Sequence, residues 1–132
     1  MTSILLRHAR AGERAEWEGD DRLRPLDEKG RRQAVEIVPE LRRLGARRVV
    51  SSPYVRCVET VEPLADALGV TVEQDDRLAE GAGKAARALL EEDGVVACTH
   101  GDVVEALLGS SLKKGAAAVF EHGQPTETIP AP

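Results

Sequence analysis

Apolar positions fall into short runs of two kinds along this chain, and their alternation predicts its architecture. Ser3 to Ala9 (SILLRHA) opens with a continuous apolar run, the pattern of a strand buried on both faces. A polar, glycine-containing stretch follows. From Asp27, a plausible N-cap, to Leu44 the apolar residues Ala34, Ile37, Val38, Leu41 and Leu44 recur at helical spacing and stop at Gly45. Pro39 lies inside this helix and is expected to kink it. Arg47 to Pro53 reads as a second strand, Tyr54 to Leu68 as a helix ended by Gly69, and Val70 to Glu73 as a third, short strand. Lys84 to Glu92 reads as a helix, Gly94 to Thr99 as a fourth strand and Val103 to Leu108 as a short helix. Ala116 to Glu121 and Thr126 to Ile129 flank His122 and Gly123, a predicted hairpin turn.

Strand and helix alternate throughout, so the expected fold class is α/β: a three-layer α/β/α sandwich around a mostly parallel central sheet. With 132 residues the chain is expected to form a single domain spanning 1–132. Trp17, Tyr54 and Phe120 are its only aromatic residues, so the core must be built from Ala, Val and Leu.

Charge narrows the function classes. Eighteen basic against 23 acidic residues give a formal net charge of -5, which argues against a general nucleic-acid binder. So few aromatics leave no stacking platform for single strands. No run approaches the roughly 18 apolar residues that span a bilayer, and the start of the chain has no secretory pattern. The expectation is a soluble, cytoplasmic protein with no nucleic-acid or membrane partner. Cys57 and Cys98 lie in apolar runs without metal-ligand spacing and read as buried reduced thiols.

Ligands of open α/β sheets bind beyond the carboxyl ends of the strands. Three apolar strands here are followed at once by polar groups: Arg7 and His8 after the first, Ser51, Ser52 and Arg56 after the second, Thr99, His100 and Gly101 after the fourth. In a parallel sheet these ends share one edge, and two of the chain's three histidines meet two arginines there. Taken singly, each residue has a plain alternative: a salt-bridged strand end, a surface helix arginine, a capping histidine. Together they suit phosphoryl chemistry. Arginine grips phosphate oxygens bidentately at any working pH, and a neutral imidazole attacks phosphorus. A second histidine adds a donor where charge sits in the transition state, so phosphoryl transfer can proceed by positioning and electrostatics. Neighbouring arginines would repel a cation, so no metal is expected at His8 and His100, and no cofactor is implied.

At these residues the sequence resembles the histidine phosphatase superfamily, also called phosphoglycerate-mutase-like or RHG. LLRHA is similar to its signature, SSPYVRCVET to its second motif and CTHGD to its second-histidine motif. The stretch DDRLRPLDEKGRRQA resembles the short SixA-type phosphohistidine phosphatases and the phosphatase domain attached to some MutT-type Nudix hydrolases. The likeness runs from about Ser3 to Phe120 and implies a phosphoglycerate-mutase-like fold. It implies that His8 is the transiently phosphorylated nucleophile and that Arg7, Arg56 and His100 hold the phosphoryl oxygens. It further implies that Arg24 reaches the phosphate and that Glu80 is the general acid. Ala9 stands where glycine is usual. The stretch between the third and fourth predicted strands is short, as in the stripped-down members, which implies a shallow, open pocket. The implied partner is a phosphorylated substrate: phosphohistidine protein first, a nucleotide or small phosphomonoester as the alternative. A non-catalytic phosphate- or phosphoprotein-binding domain is the rival from another class.

Overall fold

The computed structural model describes residues 1–132. Six strands, β1 (Thr2–Arg7), β2 (Arg48–Ser51), β3 (Val72–Gln74), β4 (Val95–Thr99), β5 (Ala117–Glu121) and β6 (Gln124–Ile129), form one sheet in the order β3-β2-β4-β1-β5-β6. Neighbours from β3 to β1 pair in parallel; β5 runs antiparallel to both β1 and β6. Four helices flank the sheet: α1 (Glu28–Glu36), α2 (Val38–Arg43), α3 (Val55–Leu68) and α4 (Gly101–Leu108).

Strand side chains alternate between faces, and the core divides accordingly. Ile4, Leu6, Val49, Val96 and Cys98 pack under Ile37, Leu41, Val61 and Leu64 of the α1–α3 layer. Leu5, Ala118 and Phe120 turn the other way, against Val103, Val104 and Leu107 of α4. On that same face Val50, Val95 and Ala97 meet Leu78, Ala86 and Leu89. The result is the expected three-layer α/β/α sandwich. No helix is long and apolar enough to cross a membrane.

Local chemistry sets the boundaries. The Asp27 carboxylate accepts from the Gly30 amide and caps α1. Pro39 has no N–H to donate, and the predicted helix from Asp27 to Leu44 divides at Ile37 into α1 and α2. Gly69, at φ 70°, closes α3 in the left-handed conformation. His122 (φ 52°) and Gly123 (φ 77°) form the turn between β5 and β6. One expectation fails: Lys84 to Glu92 is not an α-helix but turns and a 3₁₀ segment over Arg87–Glu91. Ala86, Leu89 and Leu90 still reach the core. A tight turn serves that spacing.

The consequence for chemistry lies in the register. Arg7 pairs with Thr99 and Ser51 with Cys98, with β4 lying between β1 and β2. Three strand ends therefore lie side by side at one edge of the sheet.

Candidate active site

The cleft at that edge has a volume of about 260 Å³, and no hydrophobic residue lines it. Arg7, His8, Arg24, Arg56, Glu80 and His100 all contribute to its wall. The structure thus brings every candidate site residue to one place. The ring centroids of His8 and His100 are 5.6 Å apart.

His8 is 5 % exposed. Its amide donates to the Thr99 carbonyl, and the following Ala9 amide donates to Thr60 Oγ1, which ties the strand end to β4 and α3. His8 Nδ1 lies 2.8 Å from the Ala9 carbonyl oxygen. A carbonyl can only accept, so Nδ1 carries the proton and Nε2 keeps its lone pair. Burial foremost, with the charges of Arg56, His100 and Arg7, pushes the imidazole pKa down to about 3 against the pull of the Ala9 carbonyl. His8 is therefore neutral near pH 7, the form a nucleophile requires. The methyl of Ala9 is fully buried with Ala11, Leu26 and Ala34, so this alanine fills a small hydrophobic pocket behind the histidine.

The arginines are held by backbone as well as by acids. Arg7 Nη1 donates to the Leu112 carbonyl at 2.7 Å. A Cβ on Gly101 would stand 2.9 Å from Arg7 Nη2, so the glycine at the start of α4 lets the guanidinium approach. Arg56, 1 % exposed, donates to the Asp21 carbonyl at 2.9 Å and to its carboxylate at 3.1 Å. Arg24 donates to the other Asp21 oxygen at 3.0 Å and to the Ala11 carbonyl at 2.6 Å. Burial would raise the Asp21 carboxyl, but the Arg24 hydrogen bond and the Arg56 and Arg14 charges outweigh it and hold it below its ordinary value. His100 Nε2 lies 2.8 Å from Ser52 Oγ and 3.6 Å from Cys57 Sγ.

Three buried nitrogens in this set have no partner: Arg7 Nε, Arg56 Nε and His100 Nδ1. Each such atom costs about 1–3 kcal/mol, and all three belong to side chains lining one cleft. Together with the guanidinium charges, they suit a tetrahedral oxyanion.

Sequence reasoning missed Asp21, which anchors two arginines at once. It also missed Arg14, which reaches Glu80 at 2.7 Å, and Lys114, which joins the cleft wall. A buried arginine demands a counterion, and that demand points to the DDRLR stretch, but not to which carboxylate answers it.

Comparison with known proteins supports the class that this cleft suggests. Residues 3–86 match the sequence profile of the histidine phosphatase superfamily (branch 1). The chain is 41 % identical over 116 residues to an 8-oxo-(d)GTP phosphatase of Mycolicibacterium smegmatis; the match covers 81 % of this chain and 36 % of that protein. The chain thus spans about a third of the length of this curated relative. Among solved structures it is similar to SixA from Agrobacterium tumefaciens, with a TM-score of 0.79, 23 % identity and coverage of 99 % and 97 % of the two chains. A mycobacterial glucosyl-3-phosphoglycerate phosphatase solved with VO3 gives a TM-score of 0.72 at 18 % identity, covering 91 % and 90 %. The chain belongs to the histidine phosphatase superfamily, and its fold is the phosphoglycerate-mutase-like one.

Proposed function

We propose that this chain is a metal-independent phosphatase in which His8 takes the phosphoryl group and passes it to water. His8 Nε2 attacks phosphorus in line, the bond to the leaving oxygen or nitrogen breaks, and the leaving group departs with the electron pair. Water then breaks the P–N bond: its oxygen goes to phosphorus, both hydrogens leave with orthophosphate, and Nε2 regains its lone pair. Arg7, Arg56 and His100 hold the phosphoryl oxygens, and Arg24 supports them from the Asp21 side. The observation that carries this reading is a neutral His8 in a cleft whose Arg7, Arg56 and His100 each keep a buried nitrogen unpartnered.

Glu80, the expected general acid, lines the cleft, but its carboxylate is engaged by Arg14 at 2.7 Å and lies 3.7 Å from Arg56. The site therefore suits leaving groups that need little proton donation, such as the phosphate of an anhydride or the imidazole of phosphohistidine. A nucleotide substrate is favoured by the 41 % identity to the 8-oxo-(d)GTP phosphatase. Phosphohistidine protein, the first expectation from sequence, is the second reading; the SixA likeness behind it is one of fold.

The test is turnover of a panel of nucleotide, phosphohistidine protein and sugar phosphate by the His8→Ala variant. We expect a loss on the order of 10⁴-fold or more for every substrate that the parent hydrolyses. Retained turnover in the variant overturns the mechanism. Tight phosphate binding by a parent without any turnover would make the chain a phosphate-binding domain instead.

A further inference from the structure

Beside the cleft runs a second groove, sharing with it Gly12, Glu13 and Lys114 and continuing over Arg10, Lys29 and Lys113. Three of the chain's four lysines line it. None of the three has a carboxylate within 4.0 Å, whereas most arginines elsewhere on the surface have one at 2.7–3.3 Å. Arg10 reaches only Asp27, at 3.9 Å. Glu13 is the one acidic side chain in the lining, where the carboxylate of Pro132 also lies, its oxygen 3.5 Å from Gln33 Nε2. A protein with a net charge of -5 thus gathers an excess of cations, Arg10, Lys29, Lys113 and Lys114, in one strip contiguous with its phosphate cleft.

The strip is built, not incidental. The buried Gln33 side chain accepts from the Arg10 amide at 3.1 Å and donates to the Lys114 carbonyl at 3.4 Å, joining the two walls from below. Gly30 lets the Arg10 backbone pass directly over α1, since a Cβ there would collide with the Arg10 carbonyl oxygen. Burial first, then the charges of Arg7, Arg24 and Arg10, lower the Lys114 ammonium against the opposing pull of Glu13, so cations outweigh the anion around it.

We propose that this groove is a subsite for a second phosphate of the substrate, so that the preferred substrates are phosphoanhydrides whose terminal phosphoryl group is taken by His8. Lys114, common to both clefts, would stand between the two phosphates. Ala131 is the only hydrophobic residue lining the groove, which suits an ionic chain better than a peptide side chain. In such a substrate the bridging P–O bond breaks and its electron pair leaves on the inner phosphate. That anion needs no proton from Glu80 and is received by the lysines.

The inference rests on the reading of His8 as the phosphoryl acceptor, but binding tests it separately. Calorimetry with inorganic pyrophosphate and orthophosphate is expected to show at least about tenfold tighter binding of pyrophosphate. The Lys29→Gln/Lys113→Gln double variant is expected to cut that ratio about tenfold, with a parallel fall in the kcat/KM ratio of ADP over AMP. Equal affinity for the two anions, or an unchanged ratio in the double variant, overturns the subsite even if His8 is the nucleophile. An acidic phosphohistidine peptide that alone depends on the lysines would overturn it in favour of protein substrates. Conversely, a lysine-dependent pyrophosphate preference with no His8-dependent turnover would keep the subsite and remove the phosphatase.

Discussion

The two ends of the central sheet handle charge in opposite ways. At the amino end, where β2 and β4 begin, Arg47 meets Asp93 at 2.8 Å and Arg48 meets Glu73 and Glu92 at 2.9 and 2.7 Å. The Asp93 carboxylate also accepts from the Thr2 amide at 2.8 Å. Every charge there is exposed and answered. At the carboxyl end Arg56, His8 and His100 are buried, and Arg7, Arg56 and His100 each keep a nitrogen without a partner. The same strands thus carry exposed ion pairs at one end and, at the other, a cavity whose buried cations are only partly answered, by Asp21 and Glu80. Exposed pairs contribute little to stability, typically about 0–1 kcal/mol each. Buried polar atoms without partners cost more than that, and a fold tolerates such a cost where a ligand offsets it.

The difference is sharpest in acid. The His8 pKa is pushed down to about 3 in the folded chain, while the unfolded chain titrates near the ordinary 6.5. Between these values the unfolded chain binds the extra proton, so this contribution to stability is full above pH 6.5 and falls as pH drops toward 3. Going from pH 7 to pH 5, urea unfolding should show about 2 kcal/mol of lost stability that the His8→Ala variant does not lose. The amino-end carboxylates respond lower. The Thr2 amide, with Arg47, holds the Asp93 carboxyl below its ordinary value, and the Arg48 hydrogen bond does the same for Glu73. Their stability is lost only as pH falls below the usual carboxylate range. Equal losses between pH 7 and 5 in parent and variant would break the contrast.

The smallest effect belongs to the amino end itself. Arg48→Ala should lower stability by no more than about 1 kcal/mol, less in high salt, and should leave kcat/KM unchanged. A larger loss, or any loss of turnover, would mean that the two ends are coupled through β2.

The order of strands and helices was legible in the chain because strand runs and helical spacing alternate clearly. The strand-end positions of His8, Ser52 and His100 followed from where apolar runs stop. The cluster at the carboxyl edge was legible, with Arg56 in SSPYVRCVET, but the pairing of the amino end was not: only folding shows that Arg47 and Arg48 meet Asp93, Glu73 and Glu92, and that Arg56 is buried against Asp21. Asp21 escaped notice because Arg56 lies 35 residues away, and its nearby partner Arg24 makes an i,i+3 pair that many surface turns make. The lysine groove escaped for the same reason: Lys29 on α1 and Lys113 before β5 are brought together only by Gln33 and the packing around it. The 3₁₀ segment over Arg87–Glu91 was misread because a buried spacing of three and four residues fits tight turns as well as an α-helix.

On the proposed mechanism, the buried cationic end of the sheet receives a phosphoryl group on His8 Nε2. The most direct measurement is rapid quench at alkaline pH with a γ-³²P-labelled nucleoside triphosphate, then mapping of the label by mass spectrometry. The account predicts an acid-labile phosphohistidine on His8 that forms and decays at the rate of turnover. Turnover without any labelled His8, or label on another residue, would contradict it.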